Sequence, residues 1–199
     1  MTAAAAAWHD PSVSTAAAPQ MTYAEYLELA SSWEVKHGYE DGVAVAMTGG
    51  TLEHSRLASE LGALIRNALN DKPCRVLSAD ARIRIESTNR ALYPDLSVVC
   101  DEPQTAADDP DGLTNPVIIV EVLSPTTEAN DRGAKFAHYR RLPSVREYVL
   151  VSQDVARVEV FRRDGDRWSL YEHGPGDAIA LPSVEAEVSV DQLYRGRIG

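Results

Sequence analysis

The chain has 199 residues, 44% of them hydrophobic and 25% charged, which suits one globular domain with a sizeable core and excludes bulk disorder, collagen and coiled coil. Its formal charge of −11, from 30 acidic and 19 basic residues, argues against holding nucleic acid by general electrostatics. It leaves open a metal enzyme that meets a phosphodiester through divalent cations, because carboxylates are what hard cations bind.

Residues 1–20 are rich in alanine and small residues and lack a basic leader pattern, so they read as a disordered tail, the protein as cytoplasmic, and 21–199 as one domain. Thr22 followed by Glu25 fits a capping box at the start of a short helix. Residues 36–47 read as a hairpin turning at Asp41-Gly42, a pair suited to a type I′ turn. From Thr51 to about Asn70 a helix is predicted, with Leu57, Leu61, Leu64, Ile65 and Leu69 along one packing face. Strand-like runs follow at Arg75–Ser78, Ala81–Glu86, Asp95–Cys100 and Val117–Leu123. The acidic stretch 102–115, with Asp-Pro-Asp-Gly at 109–112, reads as a loop.

A second helix is predicted over Glu128–Arg141, stopping before Leu142-Pro143. Strands then fit Glu147–Val151, Arg157–Arg162 and Trp168–Tyr171, the last two joined by an Asp164-Gly165 turn. The order of helix, strands, helix, strands predicts an α/β (α+β) fold, a mixed sheet with helices on its faces. No apolar run approaches the roughly 20 residues of a spanning helix, so no membrane partner is expected. Cys74 and Cys100 are too few for a disulfide framework and read as reduced core thiols.

The candidate chemistry sits in two strands. The run Pro116–Ser124 is nearly all apolar, as in a central strand covered on both faces, yet it contains Glu121. A buried carboxylate must be paired, protonated or bound to a cation, and nothing basic lies within the run. Glu121 is therefore either a metal ligand or catalytic acid, or a residue at a frayed strand end. In Tyr93-Pro94-Asp95, Pro94 can open a strand and place Asp95 at its start. With Glu121 on a neighbouring strand, Asp95 would complete a carboxylate pair for one hard cation. Leu123 shares a strand face with Glu121 where a lysine would serve phosphate chemistry, and Lys135 on the next helix is the nearest substitute. Asp131, Lys135 and Tyr139 are spaced to share one helix face; the Asp–Lys pair could equally be an ordinary surface pair.

The segments MTGGTLEHSRLASEL, YPDLSVVCDEP and NPVIIVEVLSPTTEANDRGAKFAHYRRLPSVREYVLV together resemble the Uma-two family of the PD-(D/E)xK, or restriction-endonuclease-like, nuclease superfamily, over roughly residues 20 to 195. The resemblance implies a restriction-endonuclease-like core and a metal-dependent endonuclease acting on DNA as a homodimer. Mg²⁺ would be the cofactor, with Mn²⁺ able to substitute. By that resemblance Asp95 and Glu121 match the metal-binding carboxylates, and Lys135 matches a migrated lysine that stabilises the attacked phosphate. His54 matches a histidine that serves as proton carrier or outer-shell group, or else caps its helix. One position departs: where family members often carry Glu, four residues before the hairpin glycine, this chain has Gly38, with acids at Glu34, Glu40 and Asp41 instead.

That departure and the acidic charge motivate an alternative, a catalytically inactive nucleic-acid or protein binding scaffold of the same fold. A third reading is an enzyme for RNA or a small phosphodiester. An active nuclease should carry a local basic rim, for which Arg132, Arg140 and Arg141 are the candidates. The sequence has no Gly-rich phosphate loop, no GxSxG and no HExxH, its histidines lack zinc spacing, and its three tryptophans are scattered.

Overall fold

The structure is a computed structural model and describes residues 20–47 and 49–198; the segment read as a tail lies, from 1 to 19, outside the described residues. Helix α1 (Tyr23–Ala30) starts with the full capping box between Thr22 and Glu25. Strands β1 (His37–Glu40) and β2 (Val43–Ala46) form the expected hairpin, with Asp41 and Gly42 both at positive φ (46° and 96°) in its turn. Helix α2 (Leu52–Leu69) follows, capped by Thr51.

Next come β3 (Cys74–Ser78), β4 (Arg82–Ile85), β5 (Arg90–Leu92), β6 (Leu96–Cys100), β7 (Thr105–Ala106), β8 (Asp109–Leu113) and β9 (Ile118–Val122). Helix α3 (128–139) leads to β10 (Glu147–Val151), β11 (Val158–Asp164), β12 (Arg167–His173), β13 (Ala178–Leu181), β14 (Ala186–Ser189) and a last helical turn, Val190–Leu193. Two six-stranded sheets result, in orders β2-β1-β5-β4-β8-β7 and β12-β11-β10-β9-β6-β3, beside the two-stranded β13-β14. The connection from β9 through α3 to β10 is a crossover between parallel neighbours, while β6 lies antiparallel on the other edge of β9.

The second sheet is covered on both faces. One face presents Val98, Val120, Val149 and Val160 to the leucine stripe of α2 and to the β13-β14 hairpin. The opposite face presents Val99, Ile119, Leu123, Tyr148 and Leu150 to Ile83, Ile85 and Leu92 of the first sheet and to Tyr139 of α3. Burial on both sides is why β9 reads as an unbroken apolar run. The three tyrosines Tyr23, Tyr26 and Tyr39 pack as a separate aromatic cluster that fixes α1 on the first sheet.

Several expectations are corrected. Cys74 and Cys100 are joined in a disulfide rather than held as thiols, because the antiparallel β3-β6 register places them directly opposite each other. The stretch 102–115 contains strands β7 and β8, since Asp109 is buried at the start of β8. There it takes two hydrogen bonds from the Arg82 guanidinium, at 2.7 and 2.6 Å, and one from the Tyr23 hydroxyl. Asp164 pairs with Arg167, so the β11-β12 loop is Gly165-Asp166, one residue beyond the expected turn. The predicted second helix is present but is α-helical only over Glu128–Asn130 and Phe136–Tyr139, with a π turn over Asp131–Lys135 between them. Among the described residues no helix is long and apolar enough to cross a membrane.

Candidate active site

Glu121 lies within β9, not at a frayed end, and is only 3% exposed. It is on the sheet face that looks toward α3, and Leu123 is buried on that same face. Asp95 precedes β6, next to the Leu96–Val120 pair of the ladder, and its Oδ2 accepts the Val122 amide at 2.6 Å. A side chain here extends the ladder where Pro94 has interrupted it, and this brings Asp95 to the end of β9 that holds Glu121.

The π turn supplies the cation. Lys135 Nζ stands 3.0 Å from Glu121 Oε2 and 2.8 Å from Asp131 Oδ1. Asp131 is buried, so the Asp131–Lys135 pair is part of an interior charge cluster and not a surface pair. The Asp131 carbonyl also accepts the buried Tyr148 hydroxyl at 2.8 Å, which ties the turn to β10. π turns of this kind recur at functional sites because they re-aim side chains without breaking the helix.

Burial pushes the Glu121 carboxyl up to about 8; Lys135 opposes that shift, while Asp95 and Asp131 reinforce it. Lys135 is held above the ordinary lysine range: burial works against its charge, and the Glu121 and Asp131 carboxylates outweigh that effect. Glu121 Oε1 is buried and has no hydrogen-bond partner.

His54 Nε2 is 3.3 Å from Asp95 Oδ2, a contact that raises the imidazole pKa against the opposing effect of burial. The capping alternative is set aside: Thr51 caps α2 by accepting the His54 backbone amide, which leaves the imidazole free to face Asp95. Gln153 holds the site's ends together, donating to the Leu123 carbonyl and accepting from the Thr51 hydroxyl, both at 2.6 Å.

These side chains open into a cleft of about 380 Å³. One wall comes from the β1-β2 hairpin and the chain after it, through Val45, Met47 and Gly50; the other comes from the loop Ser124–Thr127, which leads into α3. Gly38 lines the cleft, and so does Glu40, two residues along the same strand, which pairs with Arg90 at 3.3 Å. The strand thus still presents an acid to the cleft, displaced by one pleat repeat.

The four residues singled out from sequence, His54, Asp95, Glu121 and Lys135, all line this one cleft. Arg132, Arg140 and Arg141 do not; Arg132 is spent on Glu128 and Glu159. The structure adds Asp131 and Tyr93 to the lining. Asp131 carried a sequence signal in its spacing to Lys135, whereas Tyr93 carried none beyond adjacency to Pro94.

A divalent cation, which the family resemblance implies, fits two features here. Glu121 Oε1 is a buried acceptor without a donor, and Asp95 stands on the adjoining strand. Among the described residues no three His, Cys, Asp or Glu side chains form a ready-made cage. Two carboxylates with water and substrate oxygens completing the shell match how Mg²⁺ is usually held.

Residues 23–192 match the family Uma2, described as "Putative restriction endonuclease". "Uncharacterized protein slr1290" of Synechocystis sp. (strain ATCC 27184 / PCC 6803 / Kazusa) is 36% identical over 190 residues, covering 94% of this chain and 97% of that protein. From the same organism, "Uncharacterized protein sll1609" is 33% identical over 153 residues, covering 76% and 86%. Among solved structures, the crystal structure of "a putative nuclease belonging to DUF820" from Anabaena variabilis ATCC 29413 superposes with a TM-score of 0.71 at 19% identity. It covers 87% of this chain and 97% of that one, a likeness of fold.

Proposed function

The chain belongs to the Uma2 family, and from that premise we propose that its cleft hydrolyses phosphodiester bonds in DNA with a bound divalent cation, Mg²⁺ or Mn²⁺ in its place. The observation that carries this reading is Glu121: a carboxylate sealed in a central strand, lining the cleft, with one oxygen bonded to Lys135 and the other bonded to nothing. The pair with Lys135 accounts for one oxygen only and leaves Oε1 without a partner, at a position where an apolar residue would cost far less to bury.

Asp95 and Glu121 would hold the ion, which when bound supplies a water of lowered pKa and polarises a phosphoryl oxygen. Asp95 is fixed for this by the Val122 amide and by His54. Lys135 offers a permanent positive charge at the place where negative charge grows on the attacked phosphate, in a site shielded from water. Asp131 keeps that ammonium aimed from below, through the π turn. His54, with its pKa raised by Asp95, can carry a proton at the rim.

The test is cleavage of supercoiled and single-stranded circular DNA with Mg²⁺ or Mn²⁺, beside EDTA and a folded Asp95→Ala variant. Strand scission that needs the metal and disappears in the variant is expected. Absence of cleavage, with nucleic-acid or protein binding that chelator does not alter, would instead establish the inactive scaffold.

A further inference from the structure

We propose that the cleft is built for an unpaired strand, so that the enzyme cuts single-stranded segments or flaps and leaves the perfect duplex intact. The inference rests on the nuclease reading above and names its substrate class.

Three features point this way. The first is depth. Glu121 and Asp131 are 3% and 1% exposed and lie at the base of a cleft of about 380 Å³, between the hairpin wall and the Ser124–Thr127 wall. A duplex presents its phosphates on a convex cylinder backed by paired bases. An unpaired strand can turn one nucleotide edge-on and send its phosphate down between the walls.

The second is charge. Among the described residues that line the cleft, the acids are Glu40, Asp95, Glu121 and Asp131, and the one permanent cation is Lys135. Of the cations around the cleft, Arg90 is matched to Glu40, Lys36 over the Tyr93 ring to Asp80, and Arg132 on α3 to Glu128 and Glu159. Duplex binding draws on many phosphate–cation contacts, each releasing counterions. This cleft offers one, enough for the scissile phosphate and no more.

The third is the remaining surface. Val45, Met47, Leu92, Tyr93 and Pro125 give the cleft an apolar lining next to its carboxylates. Base-paired nucleotides in a duplex keep their faces stacked and unavailable. An unpaired base can lay its face on such a wall, and a base on an aromatic ring gains affinity without sequence preference. The Tyr93 ring is held by the Arg82 guanidinium, which donates to its hydroxyl at 3.0 Å, and Lys36 Nζ lies over one ring face, 5.1 Å from the centroid, so a base would stack on the other face.

The experiment uses the full chain with Mn²⁺ and one labelled oligonucleotide presented single-stranded, as a blunt duplex, and as a duplex with a single-stranded flap. Cleavage of the first and third at least about tenfold faster than the duplex, with cuts confined to unpaired nucleotides, is the expected result. Equal or faster cutting of the duplex overturns the inference while leaving the nuclease reading intact. If nothing is cut, the nuclease reading fails, and fluorescence anisotropy with the same oligonucleotides still decides the strand preference. Tighter single-strand binding by about tenfold supports it; equal or absent binding overturns it. Tyr93→Ala should raise the single-strand KM, or the Kd by anisotropy, at least about fivefold, while Tyr93→Phe, which keeps the ring and loses only the hydroxyl, stays within about twofold. A loss as large in Tyr93→Phe as in Tyr93→Ala would mean that the residue acts only through Arg82, and no loss in Tyr93→Ala would remove the wall from the account.

Discussion

Glu121 makes stability depend on pH in a direction opposite to that of most carboxylates. Its pKa in the folded protein stands at about 8 against an ordinary 4.5, so the folded state keeps a proton that the unfolded chain releases. Its contribution is complete below about 4.5 and is lost as pH rises toward about 8. The metal-free wild type should therefore lose more thermal stability than Glu121→Gln between pH 5 and pH 8.5; parallel melting curves would contradict this. Ionisation of the same group is needed for metal binding, so Mn²⁺ affinity should climb over that interval. At His54 the pKa is raised chiefly by Asp95, so Asp95→Asn should make the imidazole titrate at lower pH by NMR. Lys135→Ala should reduce cleavage by about 10²–10³-fold, the effect of removing one preorganised charge donor, and should also lower Tm because Asp131 loses its counter-ion and Glu121 its hydrogen-bond donor. These residue-level features differed in how legible they were. A glutamate in an apolar run announces itself through the energy of burying it, and Asp95 through the proline before it. Tyr93 and the burial of Asp131 depend on which segments close over the cleft, and no local pattern encodes that.

At the scale of elements, the decisive piece is α3. Residues 128–141 show helical spacing, but the insertion of a π turn over Asp131–Lys135 is invisible to periodicity, because the residue types in so short a run do not distinguish one wider turn from an α turn. Deleting Gly133, an exposed residue in that turn, should restore a regular α-helix, put Lys135 three residues from Asp131 on the same face, and shift its ammonium relative to Glu121. The expected outcome is retained helical circular dichroism with cleavage lost by at least about 100-fold. Unchanged activity would show that the turn does not aim the lysine. Helix α2 was readable from its leucine stripe, and Leu61→Ala, at a fully buried position, should cost about 2–5 kcal/mol by chemical denaturation. Strand β8 was not readable, since Asp-Pro-Asp-Gly carries every loop signal. It becomes a strand because Arg82 and Tyr23, distant in sequence, neutralise and bond Asp109 inside the protein. The Cys74–Cys100 link likewise follows from β3-β6 register, which two isolated cysteines do not reveal.

Across the whole molecule, the −11 charge and the single permanent cation among the described residues that line the cleft predict binding that depends little on salt. A plot of log affinity for single-stranded DNA against log salt should have a slope near −1 or shallower, whereas a protein gripping four or five phosphates would give about −3 or steeper. The general architecture was legible because alternating helices and strands leave few ways to cover a mixed sheet. The place of the cleft follows from topology: antiparallel β6 and β9 bring Asp95 and Glu121 to one end of the sheet, and the β9–α3–β10 crossover returns Lys135 over them. The most direct test of this account is single-turnover cleavage of circular single-stranded DNA by wild type and Glu121→Gln across a range of Mn²⁺ concentrations. Metal-saturable cleavage by the wild type, with a folded Glu121→Gln protein at least about 100-fold slower at every concentration, is the predicted result. Equal rates in the two proteins, or no cleavage by the wild type at saturating metal, would contradict it.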